Sequence, residues 1–207
     1  AVVDFSEAPS ALPNSLNAVK AITVAAVFYV FQCLGEKTVP ANSGMLRPIT
    51  ILTEPGTICD ATFPSAVSAG NVETSQRLVD ILFGALAKAC PEMVPAASGG
   101  SMNNVLFGGD RKDGSAFVHY ETLACGAGAG PFGPGADAIQ THMTNTLNTP
   151  VEQLEREFPV LIKRYCLRRS EENLSPRIHR GGFGICREYE FLAPVEVTVL
   201  SERREKA

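Results

Sequence analysis

Two stretches of the chain carry the hydrophobic pattern of a helix. In the first, the apolar run 21–31 has Asn17 placed to cap its start and Gly35 placed to end it. In the second, residues 71–89, apolar side chains recur every three or four positions until Pro91 stops the pattern. Because the run 21–31 is well short of the roughly 20 residues that cross a bilayer, it predicts a buried helix and no membrane anchor.

Strand-like runs, rich in β-branched and aromatic residues, occupy the start of the chain and most of its last third. They are residues 1–7, 49–52, 117–123, 160–168, 184–192 and 195–204. In the run 184–192, alternation places Ile185, Arg187, Tyr189 and Phe191 on one face. Helices and strands mix without a regular strand–helix–strand alternation. The sequence therefore predicts an α+β fold with a mixed or antiparallel sheet and packed helices.

The region 95–148 differs from the rest because apolar periodicity fades and Gly, Asn and Thr dominate. A polar, Gly/Asn-rich stretch of this length inside a compact domain is usually functional or a lid. We find neither repeats nor a linker, so one domain is expected across residues 1–207, whether as a whole domain or as a fragment of one.

Composition narrows the class of protein. Hydrophobic residues make up 45% and charged residues 19%, which is typical of a globular protein and excludes disorder. The net charge of -4 argues against broad nucleic-acid binding. Six cysteines without a C-x-x-C pair, and no secretion signal at the start, favour reduced thiols in a cytoplasmic protein.

The glycine run 126–135 nominally matches G-x-G-x-x-G at residues 128–133. The dinucleotide interpretation fails, because Pro131 removes a backbone donor, no amphipathic helix follows and no acidic residue lies about 20 positions on. Two interpretations stay open: close backbone approach to a ligand or neighbouring chain, or a plain flexible or tightly folded loop.

Other single residues have both a chemical and a structural interpretation. His119 and Glu121 alternate on one predicted strand, so they fit metal ligands or an acid–base pair, but a surface pair is favoured. Cys125 resembles a nucleophile on a turn, yet no base partner is recognisable. His179 and Arg180, before two glycines, are interpreted as a solvated turn.

The start of a further helix is marked by capping signals. Thr149 at the N-cap, Pro150 at the first helical position and Glu152 at the third form a capping box for a predicted helix 151–158. Glu152 is therefore interpreted as a cap rather than a catalyst.

The polar residues just upstream of this helix are better candidates for chemistry. They are Thr141, His142, Thr144, Asn145 and Asn148. The helix N-terminus adds partial positive charge nearby, and an imidazole among hydroxyls and amides suits a polar, partly anionic substrate. His142 would serve as acid, base or hydrogen-bond donor; a structural histidine is the alternative.

The order of several distinctive segments resembles the B subunit of hydantoinases and the matching half of 5-oxoprolinase. The segments are VDFSEAP with NSLNAV, RPITILTEPGT, AGNVETSQRLVDILFGAL, GGSMNNVLFGG, HYETLACGAGAG, THMTNTLNTPVE, FPVLIKRYCLR and RGGFGICREYEF. They run from one end of the chain to the other.

This resemblance implies an ATP-dependent hydrolase of cyclic amides such as hydantoin, N-methylhydantoin or 5-oxoproline. An A-type partner would use Mg²⁺ and ATP to phosphorylate the amide oxygen, and the B-type chain would hydrolyse the activated ring. Phosphorylation makes sense because it breaks the amide resonance before water attacks. A large hetero-oligomer is expected.

The match covers the C-terminal half of the family's chain without its last portion. The family's segment with acids and histidines, which is associated with a divalent metal, is expected upstream, so we expect no metal site here. The tract 170–179 departs from the Gly-rich sequence usual in relatives. Cys125 and His119 stand where relatives have glycine and tyrosine, which lowers both as catalysts, whereas Glu121 matches.

The site expected from residues and resemblance together has two groups. His142 and Glu121 are the predicted catalytic residues, and the predicted substrate-binding residues are Asn103, Asn104, Thr141, Asn145 and Asn148. Two alternatives stay open: a non-catalytic scaffold within such a complex, or a subunit of a related ATP-dependent carboxylase of the acetone carboxylase type.

Overall fold

The computed structural model describes residues 1–35, 40–169 and 178–202. The backbone divides into two compact units, Ala1–Val94 and Pro95–Ala207, and each is described by itself. The single-domain organisation stays a prediction. The departure from the family at residues 170–179 lies almost wholly outside the described residues.

The first unit combines a two-stranded parallel sheet with two packed helices. Strand β1 (Val2–Phe5) pairs in parallel with β2 (Thr50–Thr53). Helix α1 (Lys20–Leu34) packs against α2 (Ser75–Leu86). One π-helical turn, Gly70–Thr74, leads into α2. The helix predicted over residues 71–89 ends earlier than expected, at Leu86.

The core of this unit lies where the two helices meet. The buried apolar side chains on them are Ala26, Val27, Val30, Leu78, Val79 and Phe83. The buried helix predicted from the apolar run 21–31 is thereby confirmed, and Gly35 ends it as expected.

The cap predicted at Asn17 is wrong. Helix α1 starts after Val19, which makes no side-chain cap. Asn17 is fully buried: its Oδ1 accepts from the Leu12 amide at 2.7 Å, and its Nδ2 donates to three carbonyls, including that of Ala66 at 2.9 Å. The side chain therefore closes the loop before the helix, because a buried carboxamide needs all its hydrogen bonds.

The second unit contains two antiparallel sheets. The first has the order β4 (Ala116–Thr122), β3 (Asn104–Asp110) and β7 (Glu196–Leu200). The second pairs β5 (Val160–Leu167) with β6 (Ile185–Phe191). With the parallel pair of the first unit, these sheets confirm the α+β class and the mixed or antiparallel pairing.

An aromatic cluster holds the two sheets of this unit together. Phe107 of β3 is fully buried and packs edge-on against Phe158, Tyr189 and Phe191, with ring centroids 5.2–6.0 Å away. The predicted alternation in β6 is confirmed, since Tyr189 and Phe191 both contact this core.

The capping box predicted at Thr149 is also wrong. Helix α3 (Val151–Glu157) has Pro150 at its N-cap and no side-chain cap, and Glu152 is exposed. The backbone amide and carbonyl of Thr149 are instead bonded to side chains of β4 and β6, because buried charges on those strands need partners.

The glycine run 126–135 folds tightly onto the chain's own backbone. A Cβ atom would meet a backbone oxygen at 1.8 Å if placed on Gly128, at 2.1 Å on Gly135 and at 2.0 Å on Gly182. The amides of Ala127 and Gly135 donate to the carbonyls of Ala136 and Arg180. The structure thus favours the tightly folded loop over approach to a ligand.

We expect Gly128→Ala to destabilise the second unit, because its methyl group would overlap the Ala96 carbonyl. Overpacking of this kind costs about 1–3 kcal/mol. The matched control is Gly133→Ala in the same run, where nothing lies within 4 Å of the added carbon. Thermal unfolding of both variants checks this; equal melting temperatures would contradict it.

Candidate functional site

A cavity of about 800 Å³ in the second unit is lined by residues of β3, β6 and β7 and of the loops that flank them. Its polar lining comprises Asn103, Asn104, Arg168, Arg187, Ser201 and Glu202, and its apolar lining includes Val105, Val197, Val199 and Phe191. The volume is in the range of small-molecule sites, and the lining combines apolar side chains with polar ones.

Asn103 and Asn104 bring the family segment GGSMNNVLFGG to this cavity. Asn103 adopts the left-handed φ of 52°, which asparagine tolerates better than most residues, and its Oδ1 accepts from Ser201 Oγ at 2.7 Å. Asn104 is 2% exposed, and its Oδ1 accepts from the Tyr120 hydroxyl at 2.6 Å. Within the described part of the chain, Asn104 Nδ2 has no hydrogen-bond partner.

A buried ion cluster centred on Glu121 lies next to the cavity wall. Arg187 Nη1 donates to Glu121 Oε2 at 3.1 Å, and the side chain of Arg187 is 0% exposed. Tyr189 donates its hydroxyl to Glu121 Oε1 at 2.5 Å. Arg187 and Tyr189 line the cavity. Glu121 does not line it itself but holds these two side chains in place.

The groups around Glu121 stabilise its carboxylate in the ionised form. Burial raises the pKa of Glu121, but the contacts of His119 and Tyr189, the Arg187 charge and the Thr149 amide outweigh it and lower that pKa to about 2. Burial and the bond to Glu121 raise the pKa of Tyr189, so its hydroxyl stays protonated. Glu121 is therefore an acceptor at any physiological pH.

The same cluster holds the end of the segment THMTNTLNTPVE. Glu121 Oε2 accepts from the Thr149 amide at 3.2 Å and from Asn148 Nδ2 at 3.3 Å. Arg187 Nη2 donates to the Thr149 carbonyl at 2.7 Å. Residues far apart in sequence thus fix the position of the C-terminal end of the polar segment 141–148, just before helix α3.

The surface pair predicted for His119 and Glu121 is wrong. His119 is 8% exposed and its ring lies 5.0 Å from that of Phe107 and 5.1 Å from that of Phe158. Its Nε2 lies 3.8 Å from Glu121 Oε1, an ion-pair distance rather than a hydrogen bond. The pair is buried because this face of β4 is the one covered by the aromatic cluster.

The remaining predicted residues lie apart from the cavity wall. Thr141 Oγ1 donates to Ser98 Oγ at 3.1 Å, and Asn145 is exposed. His142 is half-buried and adopts a left-handed φ of 56°. Among the described residues, the cavity lining includes Asn103 and Asn104 but none of these three, so the structure brings together only part of the predicted site.

Arg187 and Tyr189 are the main residues that sequence reasoning missed. Their signal was present: an arginine on a strand face otherwise occupied by Ile185 and Phe191 indicates a buried acidic partner. Arg180, predicted in a solvated turn, is partly exposed, and it also forms a bidentate pair with Asp137 at 2.6 and 2.9 Å.

This second ion pair joins Asp137, which follows the glycine run, to the segment that leads into β6. The Arg180 bonds first, and the Phe183 amide next, lower the pKa of Asp137 to about 2. The guanidinium of Arg180 also lies 4.4 Å above the Phe183 ring.

Neither a metal centre nor a membrane span is found in the part of the chain that the structure describes. In residues 1–35, 40–169 and 178–202, no three His, Cys, Asp or Glu side chains are grouped so as to hold a metal ion. Over the same ranges, no helix combines the length and apolarity needed to cross a bilayer.

Comparison with known proteins identifies the family. The model of the family described as hydantoinase B/oxoprolinase matches residues 1–207. The chain belongs to this family. The resemblance noted from the sequence segments is thereby confirmed.

Relatives of this hydantoinase B/oxoprolinase chain are longer than it is. 5-Oxoprolinase 1 of Arabidopsis thaliana is 41% identical over 97% of this chain, which spans 15% of that protein. The crystal structure of the ATP-dependent caprolactamase from Pseudomonas jessenii superposes with a TM-score of 0.75 at 26% identity, covering 92% of this chain and 33% of that one. A nucleotide-free acetone carboxylase has a TM-score of 0.73 at 15% identity over 96% of this chain and 27% of its own, a likeness of fold alone.

We expect Glu121→Gln to destabilise the protein at neutral pH by about 3–5 kcal/mol, because Arg187 would lose its buried counter-charge. The lowered pKa of Glu121 means that its contribution to stability is fully present above its unfolded value near 4.5 and is lost as pH falls towards about 2. The destabilisation by the variant should therefore shrink over that interval.

Denaturant unfolding at a series of pH values from 7 to 3 measures this difference. The exposed Glu152→Gln is the matched control and should stay close to the wild type throughout. A constant difference between Glu121→Gln and the wild type across the series would contradict the assignment.

Proposed function

We propose that this chain forms part of the substrate pocket of an ATP-dependent hydrolase that opens a cyclic amide such as a hydantoin or 5-oxoproline. The observation that carries the proposal is the cavity of about 800 Å³ lined by Asn103 and Asn104, in a chain of the hydantoinase B/oxoprolinase family. The names of the relatives, 5-oxoprolinase and ATP-dependent caprolactamase, agree with an amide ring as substrate.

The chemistry of the cavity suits such a ring. We propose that the carboxamides of Asn103 and Asn104, which line the cavity, bind the ring carbonyl oxygen. Arg168 and Arg187 supply positive charge for a carboxylate, or for the negative charge that develops on oxygen when water attacks. Val197, Val199 and Phe191 offer an apolar wall to the carbon atoms of the ring.

Within this proposal Glu121 is a positioning residue. Its four hydrogen-bond donors leave it saturated, so it acts through Arg187, Tyr189 and the segment it anchors. His142, Thr141, Asn145 and Asn148 lie outside the cavity lining, so we propose that the substrate extends from the cavity to the segment 141–148, where His142 would act as acid, base or hydrogen-bond donor.

ATP enters the proposal through a partner of the A type. The residues described here do not fit Mg²⁺-ATP: they contain no metal-ligating cluster of three, and several amides of the glycine run already donate to the chain's own carbonyls. ATP bound by the partner would supply the phosphoryl group that activates the amide. We propose a cytoplasmic hetero-oligomer of this partner, the remaining B-type segment, which is the expected place of any divalent metal, and this chain.

We expect Asn104→Leu to raise KM for the cyclic amide several-fold with a smaller effect on kcat. Loss of one hydrogen bond to a bound substrate costs about 0.5–1.5 kcal/mol. Steady-state kinetics of the complete enzyme with saturating ATP measures both constants. Gln153→Ala, which removes an exposed carboxamide on α3, is the control. An unchanged KM in Asn104→Leu would argue against this pocket.

We expect His142→Asn to lower kcat about 10²- to 10⁴-fold, the usual loss when a general acid or base is removed. Asparagine is chosen because it tolerates the left-handed φ of 56° at this position, whereas alanine would add backbone strain. Turnover in the complete complex with ATP is the measurement. Wild-type kcat and KM would eliminate His142 from the mechanism.

A second candidate function is that of a non-catalytic scaffold. One face of the sheet β4-β3-β7 exposes the apolar side chains of Leu106, Val118 and Tyr120, at 37%, 65% and 52%. A contiguous apolar patch of this kind is typical of protein interfaces. Wild-type kinetics in both variants above would favour the scaffold.

A further inference from the structure

Two cysteines face each other across the hairpin formed by β5 and β6. The register pairs Cys166 directly with Cys186, so both side chains leave the same face of the sheet. Both are free thiols; Cys166 is exposed and Cys186 is half-buried.

The ladder bond from the Arg168 amide to the Gly184 carbonyl, at 2.8 Å, defines the type of pair. Counting back by two makes Cys166 and Cys186 a hydrogen-bonded pair, in which the Cα atoms are about 5.5 Å apart. Disulfides form across Cα separations of about 4.4–6.8 Å. The Cβ atoms must approach somewhat, so a disulfide here would be strained and easily reduced.

A cation lies beside one of the two thiols. Arg164 Nη2 donates to Cys186 Sγ at 3.3 Å, and the guanidinium also pairs with Glu188 at 3.6 Å. The bond to Cys186 is the first cause of a raised pKa of Arg164, so this group stays charged. Reactive cysteines are typically found next to such a charge.

The face that carries the pair is open to solvent. Its other cross-strand contacts are the ion pairs Arg164–Glu188 and Lys163–Glu190, whose side chains are between 48% and 60% exposed. A small oxidant therefore reaches the thiols without any movement of the core, which lies on the opposite face of β6.

We propose that Cys166 and Cys186 form a reversible oxidation site, which hydrogen peroxide converts into a cross-strand disulfide. The Cys186 thiolate attacks one peroxide oxygen, the O–O bond breaks, and Cys186 becomes a sulfenic acid, while the departing hydroxide takes up the proton that the thiol released and leaves as water. The Cys166 sulfur then displaces hydroxide from the sulfenic sulfur, which takes a proton and leaves as water. In total, two thiols and one peroxide give one disulfide and two waters.

The test treats the native protein briefly with equimolar hydrogen peroxide, alkylates the remaining thiols, digests the chain without reduction and measures the peptides by mass spectrometry. We expect a peptide pair linked between Cys166 and Cys186 that disappears on addition of dithiothreitol. The Cys33→Ser variant is the control and should form the same link. In Cys166→Ser, dimedone should trap the sulfenic acid on Cys186.

Arg164→Gln provides a second measurement, which tests the proposal that Cys186 is oxidised before Cys166 reacts. Loss of the neighbouring charge is expected to slow formation of the link about 3- to 10-fold without abolishing it. Two results would overturn the proposal: Cys166 and Cys186 both alkylated singly in wild-type protein after oxidation, or a link from either of them to a different cysteine.

Discussion

The buried ion pair between Glu121 and Arg187 is the interaction on which the second unit depends. Two opposite charges in a protein interior are stable only when they are paired and their other hydrogen-bonding positions are filled. Here the fillers are the Tyr189 hydroxyl, the Asn148 amide and both backbone groups of Thr149. The hydrogen bonds that the Glu121 carboxylate and its partner need thus connect two sheets and the loop before helix α3.

This requirement also explains why the polar segment 141–149 keeps a defined path although it contains little regular structure. Its last residues are bonded to β4 and β6, and Thr122 of β4 is bonded further by Gln140 at 2.8 Å. A site built on such a segment gains precision from the rigid strands beneath it, as residues in a functional site require. The aromatic cluster around Phe107 excludes water from the pair and strengthens it.

Much of the fold was predictable because alternation and helical spacing are local signals. The six strand-like runs and the helix around Val27 appear within a few residues of their expected positions. The two caps were wrong for one reason: Asn17 and Thr149 have the right residue types, but groups that a cap would need are bonded elsewhere, Asn17 Oδ1 to the Leu12 amide and the Thr149 amide to Glu121 Oε2. A capping motif does not report what lies opposite it in space.

The candidate site was predictable only in part for a similar reason. The family segments pointed to Asn103, Asn104 and Glu121; the two asparagines line the cavity, whereas Glu121 is bonded to Arg187 and Tyr189 of its wall. Alternation in β4 put His119 and Glu121 on one face, but a single strand does not tell which face is covered. Arg187 carried the missing information, since its charge on an apolar face of β6 required the acid that Glu121 provides.

The pairing of β3 with β7 has a consequence for how the chain reaches its native state. Asn104 pairs with Leu200, so the central strand of the sheet waits for a partner made much later in synthesis. Contacts between residues so distant in sequence raise the contact order and slow folding. Before β7 is paired, one edge of β3 has unpaired backbone groups. In this interval the chain most readily forms a wrong pairing with another strand.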